Sequence, residues 1–130
     1  SWCLGSDQHA VIDLLEEARA LELHERLRSG QRGRFPVAAL VDALTANGHA
    51  ALGWPEAGRI EAGAPADLVG VRLDTVRTAG VDPGQVVMVA TAADVDTVIA
   101  GGREIVRAGQ HVLGDAATSL QRVLRTLWAP

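Results

Sequence analysis

The spacing of apolar and polar positions changes period along the chain. Trp2-Cys3-Leu4 is a short apolar run stopped by Gly5-Ser6-Asp7, which reads as a buried strand ending at a polar turn. Asp13-Leu14-Leu15-Glu16 then has the spacing of a capping box, with Asp13 as N-cap and Glu16 reaching back. Leu14, Leu15, Ala18, Leu21 and Leu27 fall on one helical face, with Glu17, Arg19, Glu25 and Arg28 off it. An amphipathic helix therefore runs to Ser29-Gly30. After a polar connection, Pro36 suits a first helical position and Val37, Leu40, Val41 and Leu44 form a stripe ending near Asn47-Gly48. A shorter helical piece spans His49 to Leu52 and breaks at Gly53-Trp54-Pro55.

Beyond Pro55 the helical period is lost. Gly58 to Gly63 reads as a strand and turn, and Ala66 to Leu73 as another strand. Val86 to Ala90 and Val95 to Ile99 are short apolar runs. Gly101-Gly102 folds the second run onto Glu104-Ile105-Val106 as a tight hairpin, and Gly109 closes the next turn. A last helix covers about Asp115 to Trp128, with Leu120, Val123, Leu124 and Leu127 on one side. The order is strand–helix–helix, a small β module, then a helix. A strand, loop and helix at the start are half of a β/α unit, and a lone strand needs neighbours to pair with. A complete (β/α)8 barrel takes about 250 residues. The chain reads as the C-terminal part of something larger.

Composition narrows the classes. With 130 residues, twelve arginines and no lysine against sixteen acids, the net charge is −4, which gives no basic patch for nucleic acid. No apolar run is long enough for a bilayer span, and the start lacks a signal-segment pattern, so no membrane is expected. One cysteine cannot form an internal disulfide, which points to a reducing, cytoplasmic setting. Aromatics are only 3%, so the core is built of Ala, Val and Leu and is expected to need help from outside these residues.

Few residues offer chemistry. Asp7 ends the first apolar run, and strand ends build the active sites of α/β barrels. A carboxylate there can ligate a metal or accept a proton from bound water, or it can simply cap a turn. His9 follows in the same loop as a ligand, a substrate contact or a solvated side chain. His24, His49 and His111 share no metal-ligand spacing, and Cys3 reads as core packing. Arg26, Arg28, Arg32 and Arg34 could gather an anion, but the alternating Glu22 and Glu25 favour a solvated helix end.

Longer stretches resemble a known family. Thr45-Ala46-Asn47-Gly48-His49-Ala50-Ala51-Leu52-Gly53, then Gly58 to Val69, resemble the C-terminal signature of the amidohydrolase superfamily, and Val98 to Gly109 is similar to the strand pair that follows it. The resemblance implies a metal-dependent (β/α)8 hydrolase flanked by a small β-sandwich made from both chain ends. On that pattern residues 1–55 are the end of the barrel, with its last strand, active-site loop and helices. Residues 56–113 are the β-sandwich module and 114–130 a C-terminal helix. Within the superfamily, Leu4-Gly5-Ser6-Asp7, Asp13 to Arg19, Glu22-Leu23 and the Arg-rich 26–34 stretch resemble formimidoylglutamate deiminase of histidine degradation. Asp7 then corresponds to the metal-binding and catalytic aspartate after the eighth strand. It would take a proton from water on one divalent ion, typically zinc, and pass it to departing ammonia, leaving N-formyl-L-glutamate. Gln8 stands where that subfamily commonly has Ser, so Gln8 and His9 are the candidate substrate contacts.

The same resemblance implies a small-molecule substrate, a missing N-terminal barrel portion that holds the other ligands, and a homodimer. These 130 residues alone are therefore expected to be inactive and free of metal. Two alternatives are another aminohydrolase of the superfamily, acting on purines or triazines, and a non-catalytic packing or dimerisation module.

Overall fold

A computed structural model describes residues 2–8 and 11–128. Three helices, α1 (Leu14–Ser29), α2 (Val37–Leu44) and α3 (Ala46–Ala51), precede a four-stranded antiparallel sheet. Its strands are β1 (Leu68–Val71), β2 (Val95–Ala100), β3 (Arg103–Arg107) and β4 (Gln110–His111), in that spatial order, and α4 (Ala116–Leu127) follows. The first long helix, the β2–β3 hairpin and the last helix form where the hydrophobic pattern put them, whereas α2 stops at Leu44 and α3 begins at Ala46, ahead of the His49 start expected.

Helix α1 starts and stops on the expected residues. Asp13 is the N-cap, accepting from the Leu15 and Glu16 N–H groups. Gly30 closes the helix at φ +68° and donates to the Arg26 carbonyl. The reciprocal half of the capping box does not form. Glu16 is exposed, and the second oxygen of Asp13 instead accepts the Ala92 N–H at 2.8 Å, from 79 residues away. Pro36 is the N-cap of α2 and not its first helical residue.

The core lies between α1, α2 and the 83–88 segment. Ala18, Leu40 and Val87 are its buried centre, with Leu4, Leu15, Leu21, Phe35, Val37, Leu44 and Met88 packed around them. Leu14 and Leu27, expected on the buried face of α1, lie at its two ends and are exposed at 46% and 85%, and no described residue covers them.

Several predicted strands are absent. Residues 2–6 form no strand, and among the described residues no neighbouring strand bonds them. Leu4 still packs on the core and Trp2 meets Phe35 edge-on, with ring centroids 5.3 Å apart. Cys3, expected to be buried, is exposed. Gly58 to Gly63 is irregular, and the Val86 run belongs to a 3-10 helix over Pro83–Met88.

Two-residue turns set the sheet register. Ala100 pairs Arg103 across Gly101-Gly102, and Arg107 pairs Gln110 across Ala108-Gly109. All four turn residues have positive φ, the hand that matches strand twist. The long β1–β2 connection crosses to the helical side, where Arg19 donates to the Val87 carbonyl at 3.2 Å and to the Ala90 carbonyl. No helix of the described residues is long and apolar enough to cross a membrane.

Candidate functional site

Asp7 and Gln8 form an exposed turn between the core-packed Leu4 and the cap of α1. Asp7 has φ +44°, in the left-handed region that a non-glycine residue occupies only where its surroundings hold it. Asp7 is exposed. His9 lies outside the described residues. The turn falls at Asp7 and Gln8, one or two residues later than the Gly5-Ser6-Asp7 turn expected, and His24 and His111 are not drawn to it. His24 is exposed on α1, and His111 accepts the Leu113 N–H at 3.1 Å.

Among the described residues no three His, Cys, Asp or Glu side chains converge to hold a metal ion. One exposed carboxylate is an acceptable ligand type for zinc, but a zinc site needs three or four ligands. These residues by themselves therefore do not fit a metal.

The acidic residues near the Arg-rich stretch behave differently from expectation. Glu22 is 2% exposed and accepts the N–H groups of Gly33 and Phe35 at 2.7 and 3.0 Å. Those bonds, that of Phe35 foremost, lower its pKa from the ordinary 4.5, with help from Arg26 at 3.5 Å. So Glu22 folds the 31–35 loop over the end of α1, which a solvated helix end would not do. Glu25 is also mostly covered, at 14% exposure, and pairs with Arg28 and Arg34 at 2.8 and 3.6 Å.

A second concave region escaped the sequence reading. A cleft of about 670 Å³ opens between the α2–α3 junction and the β1–β2 edge of the sheet, lined mainly by apolar side chains such as Leu44, Ile60, Val69 and Ile99. His49 Nε2 faces Asp67 across it at 3.9 Å, while Nδ1 bonds the Thr45 carbonyl. Asp67 also accepts the Gly101 N–H at 2.6 Å, pinning the β2–β3 turn. His49 and Asp67 are 18 positions apart, and no local spacing signals their approach.

Comparison with known proteins places this geometry in context. Residues 3–105 match the model of the amidohydrolase family. A 5-methylthioadenosine/S-adenosylhomocysteine deaminase of Halobacterium salinarum is 35% identical over 109 residues, which are 80% of this chain but 25% of that protein. The crystal structure of an amidohydrolase from Brucella melitensis superposes with a TM-score of 0.80 at 28% identity, covering 98% of this chain and 30% of the other. An adenosine deaminase from Xanthomonas campestris, solved with bound zinc, superposes with a TM-score of 0.82 at 22% identity, covering 93% and 28%. The chain thus spans about a quarter to three-tenths of the length of these proteins.

Proposed function

Because this chain belongs to the amidohydrolase family, we propose that it is one part of a longer hydrolase that releases ammonia from an amidine-type carbon, with Asp7 as its proton carrier. The observation that carries the reading is the exposed Asp7 carboxylate, held at positive φ in the turn before α1 and inside the family match. Water adds to the carbon and forms the C–O bond, and Asp7 takes the proton that the water loses. That proton passes to one amidine nitrogen, the new hydroxyl gives up its second proton to the amidine as it becomes a carbonyl, the C–N bond breaks, and ammonia leaves. The deaminase names of the relatives support this class.

One carboxylate cannot complete a zinc ligand set, so Asp7 would hold the ion together with residues outside this chain. Lowering the pKa of a bound water is the chemistry such an ion supplies. Residues 1–55 would then be the end of the barrel, 56–113 the β module and 114–130 the terminal helix, working as a homodimer in the cytoplasm.

For the substrate, an aminopurine nucleoside is the first reading, supported by the methylthioadenosine and adenosine deaminases among the similar proteins. N-formimidoyl-L-glutamate is the second, favoured by the Leu4–Asp7 and Asp13–Arg34 patterns. Ammonia release from 5′-methylthioadenosine, adenosine and formimidoylglutamate by the complete protein decides between them. Asp7→Asn keeps the shape but cannot hold the proton, so kcat on the accepted substrate should drop about a hundred- to ten-thousand-fold with secondary structure retained. Near-normal turnover by that variant would remove Asp7 from the reaction.

A further inference from the structure

The turn that carries Asp7 lies between two anchors. Upstream, Leu4 packs on the core. Downstream, six positions after Asp7, Asp13 opens α1 and uses both of its oxygens. Oδ1 accepts the Leu15 and Glu16 N–H groups at 2.9 and 3.2 Å, and Oδ2 accepts the Ala92 N–H at 2.8 Å. The far side of that second bond is firmly built. Ala92 begins a one-turn 3-10 helix, Ala92–Asp94, with Thr91 as its N-cap. Asp94 at its end is fully buried and accepts from Thr75, Arg77 and Thr91. Further along α1, Arg19 donates to the Val87 carbonyl at 3.2 Å and to the Ala90 carbonyl. The 87–92 stretch is therefore fastened to α1 at two points, one of them the residue where the Asp7 loop ends.

We propose that Asp13, through its bond to Ala92, is a positioning residue for Asp7, with the 91–94 turn as the splint that fixes where the loop leaves α1. This rests on the reading above that Asp7 carries the proton. A helix cap alone does not call for a carboxylate, since Ser or Asn caps as well, and the second oxygen is what Asp adds. A single hydrogen bond of this kind contributes modestly to stability. Its larger effect is geometric, because a carboxylate held by a helix end on one side and a second element on the other has one orientation. Proton transfer needs the Asp7 carboxylate within hydrogen-bond reach of the water, and a misplacement of about 1 Å can cost a hundredfold in rate.

Two substitutions in the complete protein break the tether from opposite ends. Asp13→Asn leaves one oxygen, which caps α1. Ala92→Pro deletes the donor and leaves Asp13 untouched. Proline suits that place, because Ala92 is the first residue of its turn and Thr91 before it is extended, at φ −126° and ψ 174°. On the accepted substrate each variant should lower kcat about tenfold or more with KM within about twofold, since placing a proton acceptor acts in the transition state. The double variant should lose no more than the worse single one, because both remove the same contact. Gly63→Ala strains the backbone at φ +91° in the connection before β1 and should keep kcat, which separates positioning from loss of stability. Wild-type kcat in Asp13→Asn, additive losses in the double variant, a rise in KM alone, or an equal loss in Gly63→Ala each overturns the proposal. Asp13→Asn is nearly isosteric and decides the matter even if Ala92→Pro fails to fold. Near-normal turnover by Asp7→Asn would remove the underlying reading, whereas an inactive Asp7→Asn beside a fully active Asp13→Asn would remove only the positioning role.

Discussion

At Gly58 the backbone takes φ +77°, and a Cβ built there would stand 2.6 Å from the Thr45 carbonyl carbon and 2.7 Å from the Ala46 nitrogen. The chain can pass the α2–α3 junction only without a side chain. Gly63, at φ +91°, has open space around its Cβ direction and carries only the conformational penalty. Gly58→Ala should therefore cost about 2 kcal/mol or more from overpacking, and Gly63→Ala about 1 kcal/mol, as read by urea denaturation. Asp13 teaches the same lesson at the helix start. From its position alone, Asn would replace it freely, because the two are equal as N-caps. In the folded chain one oxygen caps α1 and the other accepts the Ala92 N–H, and an amide has a single oxygen for both tasks. Asp13→Asn should lose about 1 kcal/mol of stability and speed exchange of the Ala92 amide. The cap was legible because it is local. The tether was not, because its partner lies 79 residues away.

Among the elements, the long β1–β2 connection does most to join the helical layer to the sheet. Its last turn holds Asp94, fully buried, accepting from Thr75, from both Arg77 donors and from the Thr91 backbone and hydroxyl groups. The Arg77 guanidinium, aided by those hydrogen bonds, holds the Asp94 carboxyl far below its ordinary value of 3.8. A carboxyl depressed on folding stabilises fully above its unfolded pKa, and that contribution fades as pH falls toward the folded one. Thermal midpoints of the wild type should thus fall from about pH 4 downward. Asp94→Asn should begin lower at neutral pH and lose less over the same acid range. An unchanged acid slope in the variant would show that other carboxylates govern it. The approach of Thr75 and Arg77, 19 and 17 positions away, makes Asp94 a buried node, and no local spacing signals it.

For the whole molecule, the dominant fact is uncovered apolar surface. Leu120, Val123, Leu124, Leu127 and Trp128 of the α4 region are 59%, 54%, 39%, 70% and 80% exposed, and no residue of α4 is buried. Isolated helices of this length are marginal in water, and packing of the apolar face normally sustains them. Ile60 and Val76 add exposure of 91% and 97% elsewhere. A molecule with this much apolar surface associates unless a partner covers it. The pair Leu120→Gln and Leu124→Gln should therefore shift this chain toward monomer in sedimentation experiments. Its unfolding free energy should change by less than about 0.5 kcal/mol, because those side chains contact no core.

Local information determined a good deal. The ends of α1, the Gly101-Gly102 hairpin, the last helix and the Asp7 turn all follow from residues within a few positions of one another, where capping groups and glycine φ preferences act. The family match over residues 3–105 spans the signature at 45–53 and 58–69 and most of the strand pair at 98–109. Tertiary structure decided the rest. Whether Trp2-Cys3-Leu4 becomes a strand depends on partners for its backbone, and without them only Leu4 packs on the core while Cys3 is exposed. Whether Glu22 is solvated depends on a loop that folds back to bury it and bond it. Leu14 and Leu27 have the spacing of core residues and remain in solvent, because hydrophobic periodicity specifies a face and only a second surface can bury it.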